Sequence, residues 1–433
     1  MNSLMKNQPD FLDRARAIIA VGEICDFCLG RQFAQLGHNL SNRDRGKALR
    51  VLLAMIDRID FRPATDCWIC QMLFARLDQL ANQAVQLAQA IEFDTYLFAV
   101  NLTPRIKEID RIFSEQFGVA TAESFKHDFN RELGKAFEQR FIAEQTERSQ
   151  EAVKKITVAF TNPHLLFTVD LRTDRIDLHI ASLYLSSRYR KLIRSIPQTR
   201  WFCRHCHGNG CTHCNFQGKM YQQSVEEIIN APIIAAAQAE DAILHGAGRE
   251  DIDALMLGTG RPFIMEIVAP RRRSLDIAEL KRQINSTAVG KVEIESLSIV
   301  DRSMVKAIKE TKRDKRYRVV AWFAKPITQT ALTEALRKLV GPIVQQTPQR
   351  VSHRRADLVR TREVIATTGE MQGSQTAELQ IHCEGGLYVK ELISGDDGRT
   401  VPSLTAQLGI NAQVVELDVI AVLDPQGREV VGD

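Results

Sequence analysis

Eight of the nine cysteines fall into four C-x-x-C pairs: Cys25/Cys28, Cys67/Cys70, Cys203/Cys206 and Cys211/Cys214. One such pair offers two thiolates from a single tight turn. Two pairs complete the four-sulfur tetrahedron of a structural zinc site. CDFC and CWIC enclose a helix-sized insert and read as one site. CRHCHGNGCTHC (203–214) reads as a second, tighter one, with Gly208 and Gly210 for sharp turns and His205, His207 and His213 as spare donors. Ferredoxin spacings do not fit, and a redox role needs one motif where each region has two. Cys383 stands alone and reads as a small buried residue.

The other stretch that invites chemistry is HGAGREDIDALMLGTGRPF (245–263), with four glycines, two arginines and three acids. Taken on its own it leaves three readings open. It is a phosphate cradle, although it lacks the Lys-Ser/Thr of a P-loop and the strand-loop-helix of a dinucleotide site. It is a solvated turn. Or it is a site in which Asp251, kept ionised by nearby arginines, acts as nucleophile or base.

Elements that would position these residues follow from periodicity. FLDRARAIIAVG, GKALRVLLAMIDRI, MLFARLDQLANQAVQLAQAI and FNRELGKAFEQRFIAEQT read as helices. TYLFAVNLT and KITVAFTNP read as strands. LLFTVDL and IDLHIASL flank 172–175 as a hairpin. After the second cysteine cluster, Ser224 and Glu227 have capping-box spacing, and Pro232 should break or restart the helix they open. That passage leads from helix to loop at Asp251. Beyond it, FIMEIVAP, VEIESLSIV, RYRVVAWFAKPI, ELQIHCEGGLYVKELI and QVVELDVIAVL are strand candidates. LDIAELKRQINS and LTEALRKLV are helix candidates. The fold class expected is mixed α+β.

The stretch 245–263 resembles the signature of the Pus-ten family of tRNA pseudouridine synthases. Its GRED is similar to the GR-x-D of the pseudouridine synthase A family. CDFCLGRQFAQLGHNLSNRDRGKALR, LYLSSRYRKLIRSIPQTRWFC, TPQRVSHRRADLVRTREV and GLYVKELISGDDGRTVPSL resemble Pus-ten motifs in that family's order, so the likeness spans nearly the whole chain. One departure is Leu255, where the family pattern D-x-R-M-L-G has arginine.

The resemblance implies an isomerase that breaks the N-glycosidic bond of a tRNA uridine, turns the uracil and rejoins it through C5. The target is the T-loop, at uridine 55 and also 54, and no organic cofactor is needed. Asp251 becomes the catalytic carboxylate, attacking the sugar or abstracting a sugar proton; Glu250 and Asp253 are its local rivals. Tyr317 stacks on the base, Lys390 pairs with Asp251, and Leu387 and Tyr388 line the pocket. Chemistry on a base requires taking it out of the stack, and Arg249 fills the space it leaves.

The resemblance also implies four regions: a cysteine-bearing helical segment (1–75), a THUMP-like RNA-binding module (76–200), a double C-x-x-C linker (201–220) and the catalytic domain (221–433), whose sheet is largely antiparallel. One or two structural zinc ions are expected. Arg188, Arg190 and Lys191 are expected phosphate contacts of the THUMP-like module. Arg271, Arg272, Arg273, Arg354 and Arg355 are basic clusters of the second half, alongside KETKRDKRYR (309–318).

Composition sets the outer bounds. The 433 residues carry 44% hydrophobic and 25% charged side chains, and a net charge of only +4, so any nucleic-acid contact is a local patch. No membrane span or signal peptide is read, which places the expected protein in the cytoplasm with no obligatory protein partner. The rival readings are a non-catalytic zinc protein that binds structured RNA, and a THUMP-bearing methyltransferase or thiouridine-forming enzyme. The latter needs a cofactor loop that the sequence does not offer.

Overall fold

Helix α1 (Phe11–Val21) opens the described part of the chain. Residues 11–117, 121–148, 155–352, 356–424 and 428 are described by this computed structural model. Two compact units result, Met1–Ala181 and Ser182–Asp433.

In the first unit, α2 (Asp26–Gly30) packs on α3 (Asn42–Asp57). Ser41 and Asp44 close a reciprocal capping box that starts α3. The two backbones touch at glycines: a Cβ on Gly46 would stand 1.9 Å from the carbonyl oxygen of Asp26, so no other residue fits. Then follow α4 (Leu77–Ala88), β1 (Thr95–Asn101), α5 (Pro104–Phe117), α6 (Phe125–Arg148), β2 (Thr157–Val158), β3 (Leu165–Asp170) and β4 (Arg175–Ile180). The sheet order is β2-β1-β3-β4, with β3 and β4 paired as the expected hairpin. KITVAFTNP keeps only the two residues of β2 as strand. Aromatic rings fill the core, with Phe98 and Phe167 stacked at 4.8 Å between centroids.

The second unit begins with β5 (Leu183–Lys191), then α7 (Val225–Ala237), β6 (Asp241–Gly246), β7 (Leu255–Val268), α8 (Ile277–Thr287), β8 (Val292–Val300), α9 (Ser303–Glu310) and β9 (Lys315–Phe323). It ends with α10 (Gln329–Arg337), β10 (Gly341–Gln346), α11 (Gln349–Ser352), β11 (Val359–Met371), β12 (Thr376–Cys383), α12 (Val389–Ser394), β13 (Thr400–Val401), α13 (Leu404–Leu408) and β14 (Ala412–Val422). One ten-stranded sheet runs β13-β10-β11-β12-β9-β14-β7-β5-β8, with β6 on β7. Its pairings are antiparallel except β14 on β7, so the largely antiparallel expectation holds. No helix among the described residues is long and apolar enough to cross a membrane.

Four readings change. β5 pairs with β7 and β8, so SRYRK lies in the second unit's sheet rather than closing the THUMP-like region at 200. Pro232 sits inside α7 without breaking it, because Ile228, Ile229 and Ile233 bury on either side and Ser224 caps the start. Asp251 follows a strand, β6, rather than a helix. Lys390 lies in α12, because the strand ahead of it stops at Cys383.

Candidate active site

The stretch 245–263 is the end of β6, a loop and the start of β7. Its later glycines serve strand packing: a Cβ on Gly258 would meet the carbonyl oxygen of Ile420 at 1.8 Å, where β14 crosses. The phosphate-cradle reading therefore loses them. The loop is pinned from beneath by buried polar groups. Glu250 accepts hydrogen bonds from Arg261 Nε at 2.8 Å and from the Tyr189 hydroxyl at 2.9 Å. Gln198 Nε2 donates to the Tyr189 oxygen and to the Gly248 carbonyl. Arg261 Nη1 donates to the Ala247 carbonyl. Lys191, fully buried, donates to the carbonyls of Ile196, Asp251 and Ile252 at 3.0, 3.2 and 3.0 Å.

This network sorts the three carboxylates. Glu250 is sealed in its ion pair with Arg261, both side chains at 1% exposure or less. Asp253 faces outward at 67% exposure. Asp251 lines a cleft of about 560 Å³, together with Arg249, Tyr317, Leu387, Tyr388 and Lys390. The six residues expected at one site thus come from three distant segments to one cleft, of a size that takes a small ligand.

Two cations face Asp251. Arg350 Nη1 lies 3.2 Å from its Oδ2, and Lys390 Nζ lies 3.5 Å away. Lys390 is closer to Asp253, at 2.7 Å, so it is shared rather than paired with Asp251 alone. Burial alone would push Asp253 upward, but the Lys390 ammonium holds it below the usual carboxylate range. Arg350 also donates from Nε to buried Glu391 at 2.6 Å. Burial works against the Arg350 charge; Glu391 and Asp251 outweigh it and raise its affinity for its proton. Burial pushes the Tyr317 phenol well above its ordinary value, so it presents a neutral ring.

Arg350 is the residue that sequence reasoning missed. It stands in the motif TPQRVSHRRADLVRTREV, but the paired arginines further on drew the attention. Arg354 and Arg355 themselves lie outside the described residues. Arg271 and Arg272 are exposed, and Arg273 is half-buried with Nη2 donating to the Ser182 carbonyl. None of these three lines the cleft. Two expected phosphate contacts are corrected. Arg188 is buried and donates to the carbonyls of Thr259, Gly260 and Val422, and burial lowers its pKa to about 10. Lys191 is sealed beneath the Asp251 loop. Both faces of β5 are covered, so neither cation reaches solvent. Arg190 is half-buried between Glu293 and Glu295.

Both cysteine groups assemble. In each, the four sulfurs lie within 4.8 Å of one another. Cys25 and Cys70 sulfurs are 3.6 Å apart; Cys203–Cys211 and Cys206–Cys214 are 3.8 Å apart. A tetrahedron with metal–sulfur bonds of about 2.3 Å has edges of about 3.8 Å, whereas a disulfide needs about 2 Å. Backbone N–H groups of Gly210, Cys211 and Gly218 point at the second set of sulfurs, as suits thiolates. The donor set and its spacing fit a structural metal ion. Around the second set, the chain enters and leaves side by side: Phe202 bridges Lys219, and Met220 N–H donates to the Trp201 carbonyl at 2.9 Å.

Sequence comparison assigns the class. A family model described as "Pus10, C-terminal" matches residues 184–423, and one described as "Pus10 THUMP domain, archaeal" matches residues 80–170. The chain belongs to the Pus10 family. The tRNA pseudouridine synthase Pus10 of Halorubrum lacusprofundi is 43% identical over 425 residues, covering 95% of this chain and 96% of that one. The proteins of the same name from Methanothrix thermoacetophila and Archaeoglobus fulgidus are 40% and 39% identical, covering 95% and 83% of this chain and 94% and 95% of theirs. Among solved structures, a Cbf5-Nop10-Gar1 complex covers 46% of this chain and 45% of that chain at 15% identity, with a TM-score of 0.29, too loose a likeness to argue from.

Proposed function

We propose that this chain is a tRNA pseudouridine synthase that isomerises uridine 55, and also 54, in the T-loop, with Asp251 as the catalytic carboxylate. Family membership supports the activity class. The observation that carries the residue is that Asp251 lines the cleft with Tyr317, partly exposed and faced by two cations, whereas Glu250 borders the same cleft with its side chain sealed against Arg261 and Asp253 does not line it. The Tyr317 ring offers a flat face to a flipped uracil, and stacking holds the base in either orientation. Arg249 occupies the gap left in the RNA, and Leu387 and Tyr388 complete the wall.

The partner is tRNA. Its acceptor end is gripped by the THUMP-like region, and exposed Arg271 and Arg272 add phosphate contacts. Zinc is held by Cys25, Cys28, Cys67 and Cys70, and by Cys203, Cys206, Cys211 and Cys214. A closed four-thiolate shell leaves no position for water, so its role is structural. No organic cofactor takes part, and the protein works in the cytoplasm.

The test is unmodified tRNA transcript incubated with purified protein, then mapped by carbodiimide-dependent reverse-transcription stops. T-loop stops with the wild type and none with Asp251→Ala are expected. A folded, tRNA-binding wild type that leaves no stops would sink the catalytic reading and leave an RNA-binding protein.

A further inference from the structure

We propose that Lys315 is a further catalytic residue, whose ammonium donates a hydrogen bond to a carbonyl oxygen of the target uracil and balances the charge on the base while it is detached. The proposal rests on the pseudouridine synthase reading above.

Lys315 and Tyr317 are two apart on β9, so their side chains share one face, and both line the cleft with Asp251. Lys315 Nζ is 3.4 Å from where a Cβ on Gly248 would stand, on the floor of the loop that carries Asp251. The four cations packed around the Asp251 loop are engaged: Arg261 by Glu250, Lys191 by three carbonyls, Arg350 and Lys390 by carboxylates. Arg313, Lys309 and Lys312 also line the cleft, but Lys315 is the cation on the same strand face as Tyr317. Lys315 Nζ makes no hydrogen bond or ion pair among the described residues. A largely buried ammonium without a partner is costly, which marks a place where a ligand completes the shell. Burial, with Arg261 adding to it, lowers the Lys315 pKa to about 8, while Cys383, Glu250 and Asp314 pull the other way. It still carries its proton at neutral pH.

The chemistry calls for such a group. When the N1–C1′ bond breaks, its electron pair stays on the uracil, and the charge spreads over N1, O2 and O4. Turning the ring by half a rotation about its N3–C6 axis exchanges N1 with C5 and O2 with O4. A fixed donor that meets one carbonyl oxygen before the turn therefore meets the other after it. C5 then bonds to C1′, one proton leaves C5 and one joins N1, and the lysine ends with the proton it began with. Preorganised donors aimed at developing charge act in this way elsewhere, and losing one costs about 100- to 1,000-fold in rate.

The experiment is single-turnover conversion, with enzyme in excess, of tRNA transcripts carrying uridine, 2-thiouridine or 4-thiouridine at the target, followed by nucleoside chromatography. Sulfur is a weaker acceptor than oxygen. Lys315→Met should slow the uridine substrate about 100-fold, with tRNA affinity and its salt dependence unchanged. Lys315→Gln, which keeps a donor but no charge, should fall between. At least one thio substrate should slow the wild type but cost Lys315→Met much less. Three results would overturn the role: Lys315→Met at wild-type rate, weaker binding with an unchanged bound rate (a phosphate contact), or equal thio penalties in wild type and variant. A wild type that makes no pseudouridine overturns the underlying reading, and this role with it.

Discussion

Lys191→Met tests whether the Asp251 loop is held by a buried charge. Three donations to main-chain carbonyls, at 3.0, 3.2 and 3.0 Å, join Ile196, Asp251 and Ile252 to one ammonium. Hydrogen bonds from a charged group contribute about 1.5–3 kcal/mol each, so the gross sum is roughly 5–9 kcal/mol. Burying the ammonium costs several kcal/mol in return, and burial does lower the Lys191 pKa. The Asp251 and Ile252 carbonyls also keep donors, from Ala254 and Ser195. The net loss should be about 2–4 kcal/mol, concentrated in the loop. A shift of about 1 Å at a reacting group costs about 100-fold in rate. Single-turnover pseudouridylation at saturating enzyme should therefore fall about 100-fold, and amide exchange over 246–254 should quicken. The affinity for tRNA and the slope of its salt dependence should stay put. A phosphate contact would do the reverse, removing about 0.9 from that slope per contact and sparing the bound rate. Either a smaller salt slope or a wild-type rate in the saturated variant would refute the scaffold role.

Metal analysis should find two ions per chain, and Cys70→Ser or Cys214→Ser should each remove one. Structural zinc contributes on the order of 10 kcal/mol to the fold it closes. Because Cys25, Cys28, Cys67 and Cys70 lie in the first unit's core, Cys70→Ser should melt that unit while the second keeps its transition, read by calorimetry. Glu250→Gln leaves Arg261 buried without its partner and should cost about 3–5 kcal/mol in urea unfolding; adding Arg261→Met should return much of it. Burial raises the pKa of Asp128 to about 7, against the pull of Arg131. The folded state then holds that proton longer than the unfolded chain, so stability from this group is fully present below about pH 4 and is lost as pH rises to about 7. Asp128→Asn should raise the first unit's melting temperature at pH 8 and leave it unchanged at pH 4; equal gains at both would refute the assignment.

The cysteine groups were legible because a tetrahedron needs only types and spacing. The long alternating runs were legible too: VEIESLSIV, RYRVVAWFAKPI and QVVELDVIAVL became β8, β9 and β14. Short segments were not. YVKELI looks the same as strand or as helix by apolar pattern alone, and the glycines before it ended β12 and let α12 start. The cations misled for a physical reason. Arg188 and Lys191 stand in the basic run SRYRK, which reads as a solvated patch, yet β5 lies inside the sheet with neighbours on both edges. Nothing local tells an arginine that meets a phosphate from one that meets carbonyl oxygens. Arg350 and Lys315 gained meaning only once the sheet and its loops brought 249–251, 315–317, 350 and 387–390 to one cleft.

The paired entrance and exit of the second cysteine loop have a consequence for how this chain can vary. With Phe202 opposite Lys219 and Trp201 tied to Met220, everything between hangs from a single closed gate. A tight turn across that gate would leave the strand ahead of it and the helix after it where they stand. The loop is thus a cassette: its length and surface can be exchanged by design without asking the sheet to change.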